Sequence, residues 1–82
     1  MKKEVIINRS SDLEARPIAN MVQAANSYES TVYLELNGKR VNAKSIMGMM
    51  SLALINGETV VLDAEGDDAA EALDALAALL TE

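Results

Sequence analysis

The sequence predicts a two-layer α+β domain, and two patterns lead to this fold class. Short runs of β-branched or alternating apolar residues, typical of strands, recur between stretches with apolar residues at helical spacing. The resulting order of elements is β-α-β-β-α-β-α, and a sheet with one apolar face needs helices to cover it. Because two independent cores do not fit into 82 residues, we expect one domain over residues 1–82.

The first strand and the first helix are predicted in the amino-terminal third of the chain. "EVIIN", residues 4–8, is a short β-branched run and indicates a strand. Pro17 suits the first turn of a helix, where its missing N–H needs no partner. Ile18 and Val22 then begin a helical spacing of apolar residues, so we expect a helix from Pro17 to about Ser27.

The clearest local signal is a β-hairpin in "STVYLELNGKRVNA", residues 30–43. Its first half has the alternation of a half-buried strand, with apolar residues at Val32, Leu34 and Leu36. Asn-Gly at positions 37 and 38 favours the two positive φ angles of a type I′ turn, and the return strand follows.

A short helix and a fourth strand are predicted next. "SIMGMMSLAL", residues 45–54, indicates a small helix that Gly48 weakens by about 1 kcal/mol relative to alanine. "TVVLDAEG", residues 59–66, alternates again and indicates a strand. The side chains expected on its buried face are Val60, Leu62 and Ala64.

The carboxyl-terminal segment "DDAAEALDALAALLTE", residues 67–82, predicts a long amphipathic helix. Asp68 and Glu71 have the spacing of an acidic capping box at its start. The predicted buried stripe consists of Ala69, Leu73, Leu76, Ala77 and Leu80.

Composition excludes several classes of function. The formal net charge of −6 disfavours nucleic acid as a direct partner, because phosphate binding needs a positive surface. The absence of cysteine excludes disulfides and thiolate chemistry. Since no apolar run is long enough for a signal peptide or a membrane span, we expect a cytoplasmic protein without a membrane partner.

The chain contains no histidine, which removes the usual general base and the commonest metal ligand. Its carboxylates are scattered, and "DAEGDDAAEA" lacks the alternating ligand spacing of a calcium-binding EF-hand loop. We therefore expect no enzymatic activity, no metal and no cofactor.

Ser45 lies where the short helix is predicted to begin, and two readings of it stay open. As an N-cap, its hydroxyl would accept a hydrogen bond from a first-turn N–H. As a modification site, the same N–H groups would favour a phosphate on the hydroxyl. Lys39, Arg40 and Lys44 are close in sequence, and they either offset the added charge or are simply solvated.

The residues after Ser45 include more large apolar side chains than one side of a short helix can bury. They are Ile46, Met47, Met49 and Met50. We therefore expect some of them to reach solvent. The two explanations are methionine used to fill the core and a patch that binds a partner, since methionine adapts to varied surfaces.

Three segments resemble HPr, the small phosphocarrier of bacterial sugar uptake: "LEARPIANMVQAA", "NGKRVNAKSIMGMMSLAL" and "GDDAAEAL". The resemblance is collinear over nearly the whole chain. It implies an HPr-like open-faced β-sandwich, with a four-stranded antiparallel sheet and three helices packed on one face.

The chain departs from HPr at Glu14, which stands where the phosphocarrier histidine would precede Ala-Arg-Pro. Loss of the histidine with retention of the serine region resembles the Crh group of HPr-like proteins. That likeness implies phosphorylation of Ser45 by HPr kinase/phosphorylase, and a corepressor role with the CcpA-type repressor of the LacI family in carbon catabolite repression. It also implies a partner-binding surface made of Arg16, Ile46, Met47 and Met50.

Two readings of Glu14 stay open. The residue is either a replacement without a function of its own near a helix start, or a fixed negative charge that imitates a phosphorylated histidine. The alternative function is an HPr-type phosphocarrier of the sugar phosphotransferase system, with an altered active site at Glu14. A strand-exchanged homodimer is also open, because a small sheet has exposed edges.

Overall fold

The computed structural model describes residues 1–8, 16–52, 55 and 57–81, with only the backbone for residues 16 and 17. The elements appear in the predicted order. They are β1 (Lys2–Ile6), α1 (Arg16–Ala25), β2 (Thr31–Leu36), β3 (Lys39–Asn42), α2 (Ile46–Met50), β4 (Thr59–Glu65) and α3 (Ala69–Leu80). None of the helices in these ranges is long and apolar enough to cross a membrane.

The four strands form one antiparallel sheet in the order β1-β4-β2-β3. β4 lies between β1 and β2, so that Val60 faces Val5 and Leu62 faces Leu34 across the two ladders. The three helices cover the apolar face of this sheet, which confirms the predicted open-faced α+β fold. The outer edges of β1 and β3 are left at the two sides of the sheet.

The core fills the space between the inward face of the sheet and the helices. Alternation along β2 and β4 follows the prediction, because inward residues are buried and the intervening ones are not. The largest fully buried apolar side chains are Ile7, Met21, Val32, Leu34, Met49, Val60, Leu62, Leu76 and Leu80.

The β2–β3 turn has the predicted conformation. Asn37 has φ 54° and Gly38 has φ 81°, the two positive values that a type I′ turn requires. This turn sets the register in which Leu34 faces Val41 and Leu36 faces Lys39.

β1 begins two residues earlier than predicted and ends at Ile6 rather than residue 8. Lys2 and Lys3 join the ladder because pairing with β4 uses backbone groups, and an edge strand tolerates polar side chains. Ile7 is still buried. Its backbone forms hydrogen bonds with the segment before β4: its N–H donates to the Glu58 carbonyl at 2.9 Å, and its carbonyl accepts the N–H of Gly57 at 2.8 Å.

The capping box predicted for α3 is wrong. Asp68 is the N-cap residue, but its side chain makes no capping hydrogen bond to α3. Its carboxylate instead accepts the backbone N–H groups of Glu29 and Ser30, each at 2.9 Å, and the Ser30 hydroxyl. Hydrogen bonds from the Ser30 hydroxyl and from Glu29 N–H favour the ionised form and hold the Asp68 pKa below its ordinary value.

The buried stripe of α3 is close to the predicted one. Ala69, Leu73, Leu76 and Leu80 are buried, while Ala77 is half-buried and Ala72 takes a fully buried position. The stripe is therefore rotated slightly toward Ala72.

Candidate functional site

Ser45 is the N-cap residue of α2, as the first of its two readings predicted. Its backbone is extended, with φ −103° and ψ 116°, and its Oγ accepts the N–H of Gly48 at 3.2 Å. The Ser45 carbonyl also accepts the first i→i−4 hydrogen bond of the helix, from the N–H of Met49, at 3.0 Å. The residue is half-buried, so Ser45 is not enclosed in the core.

The turn that leads to Ser45 is held by backbone and asparagine hydrogen bonds. Asn42 Oδ1 accepts the N–H of Lys44 at 2.8 Å, and the Asn42 carbonyl accepts the N–H of Ser45 at 3.0 Å. Asn26, just after α1, donates from Nδ2 to the Lys44 carbonyl at 3.2 Å. These bonds tie the start of α2 to the end of α1 and fix where the hydroxyl is presented.

Lys44 and Lys39 have partners other than Ser45. Lys44 Nζ donates to the carbonyl of Tyr28 at 2.8 Å, which adds a further link between α2 and the end of α1. Lys39 Nζ lies 3.5 Å from the carbonyl of Ser51, at the opposite end of α2 from the hydroxyl.

Arg40 belongs to the outer face of the sheet. Its guanidinium lies 4.5 Å from the centre of the Tyr33 ring and forms an ion pair with Asp63, with 3.2 Å between Nη2 and Oδ2. All three cations near Ser45 in sequence therefore have partners elsewhere, and among the described side chains these three do not form a basic cluster around the hydroxyl.

Three apolar side chains of α2 are exposed: Ile46 by 42%, Met47 by 79% and Met50 by 58%. We call these three residues the α2 patch. Met49 lies on the other side of the helix and is fully buried. The expectation that some of these residues reach solvent is confirmed, since α2 uses one methionine in the core and leaves two outside.

The remaining predicted site residues are Glu14 and Arg16. Glu14 is outside the described residues, and Arg16 is the first residue of α1, with its side chain likewise outside them. α1 packs against α2 in the fold. The contribution of Arg16 to partner binding stays a prediction.

One surface feature was not predicted from the sequence. An open groove of 330 Å³ lies between the β2–β3 turn and the end of α2. It is lined by Leu36, Asn37, Lys39, Ser51, Leu52, Ile55 and Glu58. No sequence pattern marks it, because it is formed by segments that meet only in the fold. Among the described residues, no carboxylates are grouped so as to hold a metal ion.

Comparison with known proteins gives the family. A family model described as the PTS HPr component phosphorylation site matches residues 1–82. The HPr-like protein Crh of Bacillus subtilis is 50% identical over 82 residues, which cover 100% of this chain and 96% of that protein. The chain therefore belongs to the HPr family, and its similarity to Crh confirms the resemblance seen in the sequence.

Solved structures agree with the fold. The crystal structure of the phosphocarrier HPr from Bacillus anthracis has a TM-score of 0.90 at 48% identity, covering 98% of this chain and 95% of that one. Crystalline Crh from B. subtilis has a TM-score of 0.75 at 53% identity, with coverage of 93% and 87%. That Crh is described as an intertwined dimer with a swapped domain.

Proposed function

We propose that this chain is a regulatory HPr-like phosphoprotein of carbon catabolite repression. HPr kinase/phosphorylase phosphorylates Ser45, and the modified chain then serves as corepressor for a CcpA-type transcription factor. The chain works in the cytoplasm as a binding protein, not as an enzyme, and does not carry phosphate for sugar transport. The observation that carries the proposal is a half-buried Ser45 directly before the exposed α2 patch.

Phosphorylation at this position is chemically undemanding for the chain. The kinase supplies the catalytic groups, and the substrate need only present a hydroxyl that reaches the surface, as half-buried Ser45 does. The phosphate adds about −1.5 to −2 charges and three strong acceptor oxygens. It lies near the N–H of Gly48, which already points at the hydroxyl oxygen, so the backbone need not rearrange.

The partner is expected to read two features at once. A basic pocket would bind the phosphate through charge-assisted hydrogen bonds. Lys39, Arg40 and Lys44 of this chain do not compete, because each has another partner. The α2 patch would supply the apolar contact, at about 1.5–3 kcal/mol for each large side chain that becomes fully buried. Arg16 would contact the partner beside the patch.

The absence of histidine supports the loss of the phosphocarrier role. A phosphoryl relay through imidazole needs a histidine, and the chain has none. A carboxylate at Glu14 cannot form the same phosphorylated intermediate. Incubation with phosphoenolpyruvate and the first enzyme of the sugar system should therefore leave the chain unmodified.

We extend the proposal to self-association by strand exchange. β1 and β3 each leave one edge without a neighbouring strand, and such edges can pair with a second copy. The similar Crh is described as a swapped dimer, which supports the same arrangement for this chain. Light scattering on the purified chain should find a dimer beside the monomer, and a monomer at all concentrations would contradict this extension.

The test of the main proposal is a kinase assay on the purified chain with ATP and HPr kinase/phosphorylase. Mass spectrometry should find one added phosphate, on Ser45. Ser45→Ala should take up none and should cost about 1 kcal/mol of stability through loss of the N-cap.

Ser51→Ala is the matched control. Ser51 is the exposed residue at the other end of α2, and its hydroxyl donates to the Gly48 carbonyl at 2.6 Å. This variant should be phosphorylated like the wild type. Phosphate retained in Ser45→Ala, or no phosphate on the wild type, would contradict the proposal.

A further inference from the structure

The five methionines of the chain are its only sulfur groups, because it has no cysteine. They fall into two sets. Met1 is 65% exposed, Met47 79% and Met50 58%, whereas Met21 and Met49 are completely buried. An oxidant dissolved in water therefore reaches three thioethers and is kept from the two that belong to the core.

Two of the three accessible thioethers lie on one surface. Met47 and Met50 are two of the three members of the α2 patch, and each turns its sulfur-bearing side chain toward solvent. Met1 is at the other side of the molecule: it precedes β1, the edge strand opposite β3, and α2 packs against β3. Oxidation at Met1 therefore serves as an internal reference for accessibility.

We propose that the α2 patch is an oxidation-sensitive site, at which conversion of Met47 and Met50 to methionine sulfoxide stops partner docking. The oxidant is a peroxide, such as hydrogen peroxide. The thioether sulfur gains one oxygen and loses an electron pair to it, the peroxide O–O bond breaks, and water leaves. This inference rests on the proposed docking function of the patch.

The chemistry changes the patch and spares the fold. A sulfoxide is polar, so an interface that buries it loses the apolar contact that the thioether would give. The side chains of Met47 and Met50 already lie in water, so the folded chain loses no core packing when they are oxidised. Met49, two residues after Met47 and directly before Met50, keeps its thioether because it is fully buried.

Oxidation and phosphorylation are then two independent inputs to the same short helix. The hydroxyl of Ser45 does not react with the peroxide. A phosphate already on Ser45 is not changed by sulfoxide at Met47 or Met50. Phosphorylation adds a contact for the partner, and oxidation removes one. Methionine sulfoxide reductases return the thioether, so the effect is reversible.

The experiment starts from the chain phosphorylated on Ser45, so that any effect on the kinase is avoided. Dilute hydrogen peroxide is added, the sites of oxidation are read by peptide mass spectrometry, and affinity for the repressor is measured. We expect sulfoxide at Met47 and Met50 with Met21 and Met49 intact, an unchanged circular dichroism spectrum, and affinity lower by about tenfold or more. Treatment with sulfoxide reductase should restore the affinity.

The matched control is the double variant Met47→Leu with Met50→Leu, which keeps the volume and apolar character of the patch. The affinity of this variant for the repressor before peroxide treatment is its own reference, and that affinity should be the same after treatment, although Met1 is still oxidised. Full affinity of the wild type with both sulfoxides formed would overturn the inference. Loss of affinity in the double variant would overturn it as well, because the effect would then come from elsewhere.

Failure of the proposed function has a different signature. In that case the phosphorylated, unoxidised chain does not bind the repressor at all. Retention on a phenyl column then tests the inference independently of any partner. Earlier elution after oxidation of the wild type, but not of the double variant, supports it, and unchanged elution of the wild type overturns it.

Discussion

The starts of α2 and α3 carry similar residues and use them in opposite ways. Ser45 caps its own helix with one hydrogen bond and remains at the surface. Asp68 occupies the same position before α3 but makes no capping bond, and its carboxylate holds the Glu29–Ser30 segment of the loop before β2. The side chain at one helix start stays on its own helix, and the side chain at the other joins α3 to the loop before β2.

The difference shows why a polar residue at a helix start is not enough to mark a functional site. What matters is how many of its acceptor positions are already occupied by the protein. The Asp68 carboxylate accepts three donors from the loop before β2, two backbone N–H groups and a hydroxyl. The Ser45 oxygen accepts one N–H from its own helix and keeps capacity for more.

The largest expected effect comes from adding a side chain at Gly66, which lies against Ser30. Gly66 has φ 143°, and a Cβ there would lie 2.8 Å from Ser30 Cα. Gly66→Ala should therefore lower the free energy of unfolding by about 3 kcal/mol, from backbone strain and steric overlap together.

Urea unfolding of Gly66→Ala measures this loss, and Gly57→Ala is its control. Gly57 also has a positive φ, 95°, but no atom of the described residues lies within 4 Å of a Cβ built there. It should cost only the strain, about 1 kcal/mol. Equal losses in the two variants would contradict a close contact between Gly66 and Ser30.

A smaller loss is expected from Asp68→Asn, which keeps the size of the side chain and removes its charge. At neutral pH the variant should be less stable than the wild type, because an amide cannot accept all three donors. The pKa of Asp68 is lowered by folding, so its contribution is present above its unfolded pKa and is lost as pH falls through the folded pKa.

The stability difference between wild type and Asp68→Asn should therefore shrink below about pH 4. Thermal unfolding of both chains across a pH series gives this difference directly. A gap that stays constant into strong acid would argue against an ionised Asp68 at the junction.

Substitution in the α2 patch should change partner binding and not stability. Met47→Asp places a charge in the α2 patch and should weaken binding of the phosphorylated chain to the repressor by about 2 kcal/mol, roughly thirtyfold. The free energy of unfolding should stay within about 0.5 kcal/mol of the wild type, because Met47 is exposed.

Ile6→Asp is the control for this change. Ile6 is another large exposed apolar residue, on β1 and outside the α2 patch. Isothermal titration should find its affinity for the repressor unchanged. Equal weakening by both substitutions would remove the special role of the patch.

The smallest effect is expected at Glu14. One reading gives Glu14 no function of its own at the position of the phosphocarrier histidine. In that case Glu14→Gln should bind the repressor within about twofold of the wild type, because a single charge near a helix start has a small effect. A much weaker Glu14→Gln would instead support a carboxylate that imitates a phosphorylated histidine.

Much of the fold was predictable from local patterns. The alternation in β2 and β4 and the Asn37-Gly38 turn depend on neighbouring residues, and the structure agrees with all three. The predicted capping box at Asp68 was wrong because the hydrogen bonds of this side chain depend on residues that are distant in sequence. The partner that Asp68 binds, Ser30, is 38 residues away, and no local spacing reveals it.

The exposure of part of the apolar run in α2 was predictable from the sequence, but the packing of α2 was not. A crowded apolar run indicated that part of the segment after Ser45 must reach solvent. Which methionine turns inward depends on how α2 packs against α1 and β3, so Met49 could not be chosen from sequence. The engagement of Lys44 by Tyr28 and of Arg40 by Asp63 is likewise a result of tertiary packing.

The most direct test is a pair of amide nitrogen–proton spectra of the chain, before and after phosphorylation by the kinase. The account predicts large shifts only for the residues around Ser45 and α2, with the Glu29, Ser30 and Asp68 amides unchanged. Large shifts at Glu29, Ser30 and Asp68, or across the sheet, would contradict the account. They would mean that the phosphate changes the fold and does not only add a charged group to the existing surface.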